Sequence, residues 1–335
     1  MELDKSFCLP QKQIFNALCE IQMAHHHLAA SPETCHWGYF DAQQPSVLTI
    51  RSGDRVTIDT VSGGPDVLPT QDFHVPPELL AIHAAESGLP FGPHILTGPV
   101  AVEEAASGDV LEIRILDVKL RQDWGYNFSG PLAGTLRDDF AAHHLMHIPL
   151  DQDRLVARLP WGLELPLRPF FGVMGVAPPP AWKRCTSVVP RAFGGNLDNK
   201  ELTPGTTLFL PVFVAGALFS CGDGHAAQGD GEVNDTAIET ALSGTFEILV
   251  RKDLRYTYPC AETPTHVLTF GMDPDLDRCV ERALRNMIAL IVECCGISRE
   301  DAYALCSIAA DLRVTQMVNQ HKGVHCMLEK RFLKR

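Results

Sequence analysis

Residues 206–232 read TTLFLPVFVAGALFSCGDGHAAQGDGE, and this stretch indicates both the kind of fold and the place of a site. The apolar run at 206–214 follows the turn pair Pro204-Gly205, a pattern typical of a short buried strand. Four glycines, Gly222, Gly224, Gly229 and Gly231, come soon after it. A buried strand that leads into a glycine-rich polar loop is a common setting for functional residues.

Strand patterns continue outward from this stretch, from about residue 45 to about residue 270. Residues 47–58 predict a β-hairpin around the turn Ser52-Gly53-Asp54, and residues 110–120 alternate as a strand. The 26 glycines and 24 prolines agree with many turns between strands. The sequence therefore predicts a mainly β fold with some helix, of the α+β class.

Helical patterns lie towards the two ends of the chain. Apolar residues at helical spacing predict a helix over 11–28, and residues 76–87 predict a short helix with Pro at its start. From Leu276 to Ile291 apolar residues recur every three or four positions, and Ser298 caps a second predicted helix. We therefore predict a helical extension at 1–30, a β-rich body at 31–270 and a C-terminal helical hairpin within 271–335, packed on the body.

The composition excludes several classes of function. The 335 residues include 41 acidic and 28 basic side chains, a net charge of −13 that argues against nucleic-acid partners. The longest apolar stretch, 209–219, is interrupted by Pro211 and Gly216, so we expect no membrane span. No secretory leader is recognisable, and the 11 cysteines contain no CxxC pair. We expect buried thiols in a cytoplasmic protein.

The glycine-rich loop itself could carry chemistry. Asp223, His225, Asp230 and Glu232 lie within ten residues, separated mainly by Gly and Ala. Imidazole and carboxylate ligands suit zinc, iron or manganese, and an outlying Glu can act as a general base. A solvated acidic turn that holds a structural calcium ion explains the same spacing equally well. A nucleophile–base pair of Cys221 with His225 is a weaker alternative, because no G-x-S-x-G elbow is present.

Several segments, in this order, resemble the acetamidase/formamidase family. They are Thr97-Gly98-Pro99-Val100, Ser107-Gly108-Asp109-Val110-Leu111, residues 172–178, Gly195-Asn196-Leu197-Asp198, residues 216–232, Asp301-Ala302-Tyr303 and residues 311–316. The glycine-rich string is the most specific of them, and together they run from about residue 34 to 330.

The resemblance implies a β-sandwich-like body, assembly as a homodimer or larger homo-oligomer, and metal-dependent hydrolysis of a small linear amide. It places the metal, with zinc as the preferred ion, at His36, Asp198, His225 and Asp223. It further implies that Glu232 or Asp230 is the general base, that Gln228 and Asn196 hold the oxyanion, and that His94 contacts the substrate. Residues 1–30, Asn234-Asp235 and the region 74–93 depart from the family pattern, which leaves the substrate open. A binding protein that has kept the loop but lost turnover is the alternative from a different class.

Overall fold

The computed structural model describes residues 23–70, 73–86 and 91–333. The strands in chain order are β1 (His25–Leu28), β2 (Cys35–Trp37), β3 (Tyr39–Phe40), β4 (Leu48–Ile50), β5 (Arg55–Asp59), β6 (Ile95–Val102), β7 (Val110–Leu120), β8 (Trp124–Ser129), β9 (His144–Asp151), β10 (Val156–Arg158), β11 (Glu164–Pro166), β12 (Phe170–Gly175), β13 (Cys185–Thr186), β14 (Gly194–Asn196), β15 (Thr207–Pro211), β16 (Phe219–His225), β17 (Glu239–Thr240), β18 (Leu242–Arg251), β19 (Cys260–Glu262), β20 (His266–Asp273), β21 (Asp311–Gln316) and β22 (Lys322–Glu329). The α-helices are α1 (Pro77–Ala85), α2 (Leu276–Cys295) and α3 (Arg299–Ala309).

Two large sheets share one apolar core. The first has nine strands in the order β1-β5-β18-β7-β15-β19-β20-β22-β21. The second has eleven, and its main path runs β11-β10-β9-β8-β17-β16-β12-β14, with β6 joined to β16 and also pairing with β2 and β4. Phe246 of the first sheet meets Phe171 and Phe219 of the second, with ring centroids 5.6 and 5.8 Å apart. The predicted mainly β, sandwich-like body is therefore confirmed.

The strand prediction for 110–120 is confirmed residue for residue by β7. Leu111, Ile113 and Ile115 are buried in the core, as the alternation requires. The long pairing of β7 with β18 runs the full length of both strands. These are the third and fourth strands of the nine-stranded sheet.

The two C-terminal helices lie against the outer face of the nine-stranded sheet. Asp275 caps the start of α2 by accepting from the backbone N–H groups of Asp277 and Arg278, and Gly296 ends the helix at φ 66°. Ser298 caps α3 as predicted. Gly271 in β20 lets α2 approach closely, because a Cβ there would overlap the carbonyl of Cys279. The predicted helical pair is therefore present.

The C-terminal segment also contains two strands that the sequence patterns did not predict. Strand β22 pairs with β20 along eight residues, and β21 pairs with β22. The expected boundary at residue 270 consequently falls inside β20. Within the described residues, no helix is both long and apolar enough to cross a membrane.

Two local predictions near the N-terminus were wrong. Strands β4 and β5 do not form a hairpin, because β4 pairs with β6 in the larger sheet while β5 pairs with β1 and β18 in the other. Residues 25–28, the end of the predicted helix, form strand β1, parallel to β5. The rest of that predicted helix, up to residue 22, lies outside the described residues.

Candidate active site

Adjacent strands of the eleven-stranded sheet bring the acidic loop residues together. Asp223 and His225 are two residues apart on β16 and so point to the same face of the sheet. Asp198 follows β14, and Glu239 on β17 lies opposite His225 in the strand register. Glu232 comes from the loop between β16 and β17. Four carboxylates therefore surround one imidazole.

The distances within this cluster are short. His225 Nε2 lies 3.3 Å from both Asp223 Oδ2 and Glu239 Oε2, and 3.9 Å from Glu232 Oε1. His225 Nδ1 lies 3.8 Å from Asp198 Oδ1. His225, Asp198, Glu232 and Glu239 are all buried. Two triads, Asp198-Asp223-His225 and His225-Glu232-Glu239, each have ligand atoms within 4.8 Å of one another.

Gln228 fixes the orientation of the imidazole. Its Oε1 lies 2.9 Å from His225 Nδ1, and its Nε2 donates to the backbone carbonyl of Asp198 at 2.8 Å. The amide oxygen can only accept, so Nδ1 carries the hydrogen. This leaves Nε2 facing the carboxylates, the arrangement found where a histidine binds metal through Nε2 and is oriented through Nδ1.

The electrostatics of the cluster favour a bound cation. Burial raises the pKa of Glu232 well above its usual value and that of Glu239 to about 7. Although burial opposes it, the Glu239 and Asp223 carboxylates raise the pKa of His225. His225 Nε2 and Glu239 Oε2 are buried without a hydrogen-bond partner despite their 3.3 Å separation. Unpartnered buried ligand atoms of this kind fit a divalent ion, which offsets the crowded negative charge.

A glycine leaves space at the centre of this arrangement. A Cβ on Gly172 of β12 would overlap the Asp198 carboxylate and would lie 2.7 Å from both Asp223 Oδ2 and His225 Cε1. Only glycine therefore allows these three side chains to converge beside the strand.

Comparisons with known proteins identify the family of this chain. The model of the Acetamidase/Formamidase family matches residues 33–184 and 180–328. The chain belongs to the acetamidase/formamidase family. It is 29% identical over 204 residues to the acetamidase of Mycolicibacterium smegmatis, covering 42% of this chain and 49% of that protein. The chain spans about half the length of the curated relatives it matches.

Solved structures of acetamidases share the fold. The acetamidase of Bacillus halodurans has a TM-score of 0.79 and 32% identity, with 91% of this chain and 98% of that one covered. The acetamidase of Yersinia enterocolitica has a TM-score of 0.82 and 28% identity, with 94% and 95% covered. The family resemblance inferred from the glycine-rich string is thus confirmed.

The family resemblance implies four metal ligands, and the structure brings three of them together. Asp198, Asp223 and His225 converge, whereas His36 belongs to neither triad. His36 Nε2 lies 3.1 Å from Ser220 Oγ, and its ring packs on Tyr39 at a centroid distance of 5.0 Å. Burial lowers the pKa of His36 to about 4, so its ring is neutral at physiological pH.

The two candidate general bases lie in different surroundings. Glu232 is buried and lines the cavity beside His225. Asp230 forms an ion pair with Lys200 at 3.0 Å and is not among the described residues that line the cavity. The geometry therefore favours Glu232 over Asp230 as the acid–base group.

The expected substrate-contacting residues also lie at the cavity. His94 Nδ1 lies 2.7 Å from Ser187 Oγ, and its Nε2 lies 3.8 Å from Asp223 Oδ2. When its side-chain amide is oriented to satisfy its neighbours, Asn196 donates to Asp198 Oδ2 at 2.9 Å. Gln228, an expected oxyanion ligand, instead has both ends of its amide occupied by His225 and Asp198.

Sequence reasoning missed two residues of the site, Glu239 and Asn319. Glu239 reaches His225 only because β17 pairs with β16. Asn319, in the turn between β21 and β22, donates its amide N–H to the Asp198 carboxylate. No local spacing marks either residue. Glu239 depends on a strand pairing that the pattern did not predict, and Asn319 lies 121 residues from Asp198 along the chain.

Proposed function

We propose that the protein hydrolyses the C–N bond of a linear amide with the help of a bound divalent ion, zinc in the first instance. The observation that carries the proposal is the convergence of the His225 imidazole with four carboxylates, three of them buried, in a family whose named members include an acetamidase and a formamidase. Asp198, Asp223 and His225 would hold the ion. Glu239 lies next to His225 Nε2. Such an ion polarises an amide carbonyl and lowers the pKa of water.

The chain's own residues supply the proton transfers. The overall reaction converts an amide and water to a carboxylate and ammonium. Glu232, buried at the cavity wall beside His225, is placed to accept a proton from the attacking water and to deliver it to the departing nitrogen. The amide nitrogen is a poor leaving group until it is protonated, so this second transfer is essential to bond cleavage. Gln228 keeps the His225 ring in place through both transfers.

A cysteine mechanism has less support. The Cys221 side chain is fully buried in the core between the sheets, and burial raises the pKa of its thiol far above the usual value. A thiolate, the reactive form, is therefore disfavoured at this position.

The proposal is tested with the purified full chain. Metal content is measured, and ammonia release from formamide, acetamide and larger amides is followed before and after exhaustive dialysis against a chelator. We expect bound zinc, loss of activity on chelation and recovery on zinc addition, and we expect His225→Ala to lose the metal while Cys221→Ala retains turnover. Activity that survives complete metal removal, or that depends on Cys221, would overturn the mechanism. Metal binding without ammonia release from any amide would instead favour a non-catalytic binding protein.

A further inference from the structure

The cavity that contains the candidate site is much larger than formamide or acetamide needs. Its volume is about 570 Å³, within the range of pockets that hold drug-sized ligands. The Asp198, Asp223, Glu232 and Glu239 carboxylates line it together with residues far from the cluster in sequence, including Ser62 and His83. Acetamide has only four non-hydrogen atoms, so it would leave most of this space to water.

Apolar and aromatic groups form a substantial part of the cavity wall. Trp37, Tyr126 and Phe128 line it, with Val61 and Val67 beside them. The Trp37 ring stacks on His83 at a centroid distance of 5.4 Å and an interplanar angle of 27°, so this part of the wall is held in place. Trp37, Val61 and Val67 are buried. Contact between such a wall and the hydrocarbon part of a substrate makes binding more favourable.

The charge of the wall selects against one class of amide. Seven acidic side chains line the cavity, and none of its described lining residues is Lys or Arg. They are Asp66, Glu86, Asp198, Asp223, Glu232, Asp235 and Glu239. A divalent ion at the buried cluster, with any protons that its carboxyls retain, offsets charge there and not at Asp66 on the exposed rim. A substrate with a second, anionic group would therefore enter against repulsion and would meet no Lys or Arg among the described residues of the wall.

From the size, wall and charge of this cavity we infer that the substrate is a primary amide whose acyl group is larger than acetyl, is largely apolar and carries no negative charge. This inference rests on the proposed amide hydrolysis and specifies its substrate class. Trp37, Tyr126 and Phe128 contact the acyl chain, while Asp66 at the exposed rim excludes anionic analogues.

The experiment compares kcat/KM for matched amides on the metal-loaded enzyme. Acetamide and hexanamide test size, and hexanamide, 6-aminohexanamide and 6-amino-6-oxohexanoate, which are neutral, cationic and anionic, test charge at similar length. Each methylene buried against the wall is worth roughly fourfold in binding. We expect hexanamide to exceed acetamide by at least about tenfold, and the anionic amide to fall at least about tenfold below both other long amides.

A charge-reversal variant connects the selectivity to the cavity. Asp66→Lys is expected to raise the ratio of anionic to neutral turnover several-fold, and Asp153→Lys, in the exposed turn between β9 and β10 outside the cavity, is expected to leave that ratio unchanged. If acetamide or formamide is the better substrate, or if the anionic amide is cleaved as well as hexanamide, the inference fails while the proposed function stands. If no amide releases ammonia, the proposed function fails first.

Discussion

Two carboxylates in one loop, Glu232 and Asp230, lie in different surroundings. Glu232 is buried beside His225, whereas Asp230 is paired with Lys200. We predict that Glu232→Gln lowers kcat by about 10² or more and keeps the metal, because the amide preserves the shape of the side chain but cannot carry the proton. Ammonia release and metal content check both statements. Asp230→Asn is the control and should stay within about twofold of wild type; a comparable loss in both variants would contradict the assignment.

Asn319 acts on the site through another residue. Its side-chain amide donates to the Asp198 carboxylate, and Gln316 Oε1 holds the turn by accepting from the backbone N–H of Asn319 at 3.1 Å. Partners that orient a metal ligand contribute about 10- to 100-fold to metal affinity. We therefore predict that Asn319→Ala weakens zinc binding by a factor in that range, as measured by competition with a chromophoric chelator. Its exposed neighbour provides the control: Gln320→Ala should bind zinc as wild type does, and equal affinities in all three proteins would exclude a positioning role for Asn319.

At the scale of single residues, the sequence predicts what lies close along the chain. Asp223, His225 and Glu232 can be found because they share one glycine-rich loop. Glu239 and Asn319 cannot be found in this way, since strand pairing and a C-terminal turn bring them to the imidazole. His36, which the family resemblance places at the metal, contacts Ser220 and belongs to neither triad.

At the scale of elements, β12 leaves room for the site because Gly172 has no side chain. A methyl group there would meet the carboxylates of Asp198 and Asp223 and the ring of His225. We predict that Gly172→Ala folds with an unchanged far-UV circular dichroism spectrum but loses bound zinc and at least about tenfold in activity, because the ligands must move apart. The matched control is Gly229→Ala in the neighbouring loop, where a Cβ meets no atom within 4 Å. Normal zinc content in Gly172→Ala would show that the strand tolerates the methyl group.

Elements with a strong local signal were predictable, and elements defined by distant pairing were not. Strand β7 has a regular alternation, and α2 has apolar spacing that ends at Gly296, so both follow from the sequence. The prediction of a hairpin at 47–58 was wrong because a turn between two short strands does not decide their partners. Strands β4 and β5 instead pair with strands of two different sheets. Strand β22 was missed for a related reason, since its partner β20 precedes both helices.

At the scale of the whole molecule, the net charge of −13 is not spread only over the surface. Four carboxylates are gathered around His225 within one cavity, with burial raising the pKa of Glu232 and Glu239. Confining like charges in this way costs folding free energy unless protons or a cation neutralise them. The residues contributing to this cluster come from positions 198, 223, 225, 232 and 239, on or beside β14, β16 and β17, with β12 between β14 and β16. If the proposed ion binds at this point, its binding is coupled directly to the stability of the sheet.

This coupling predicts that zinc stabilises the folded protein. A ligand that binds only the native state adds RT ln(1 + [L]/Kd), about 2.7 kcal/mol when free ligand is at 100 times Kd. We expect chelation to lower Tm by about 3 °C or more and added zinc to restore it, as followed by differential scanning calorimetry at fixed pH. Asp230→Asn should respond as wild type does, whereas the Tm of His225→Ala should be insensitive to both chelator and zinc, because the imidazole is common to both candidate ligand triads. A wild-type Tm that does not change with zinc would mean that the buried carboxylates are neutralised by protons alone, with the cluster acting as a proton-sharing network around His225.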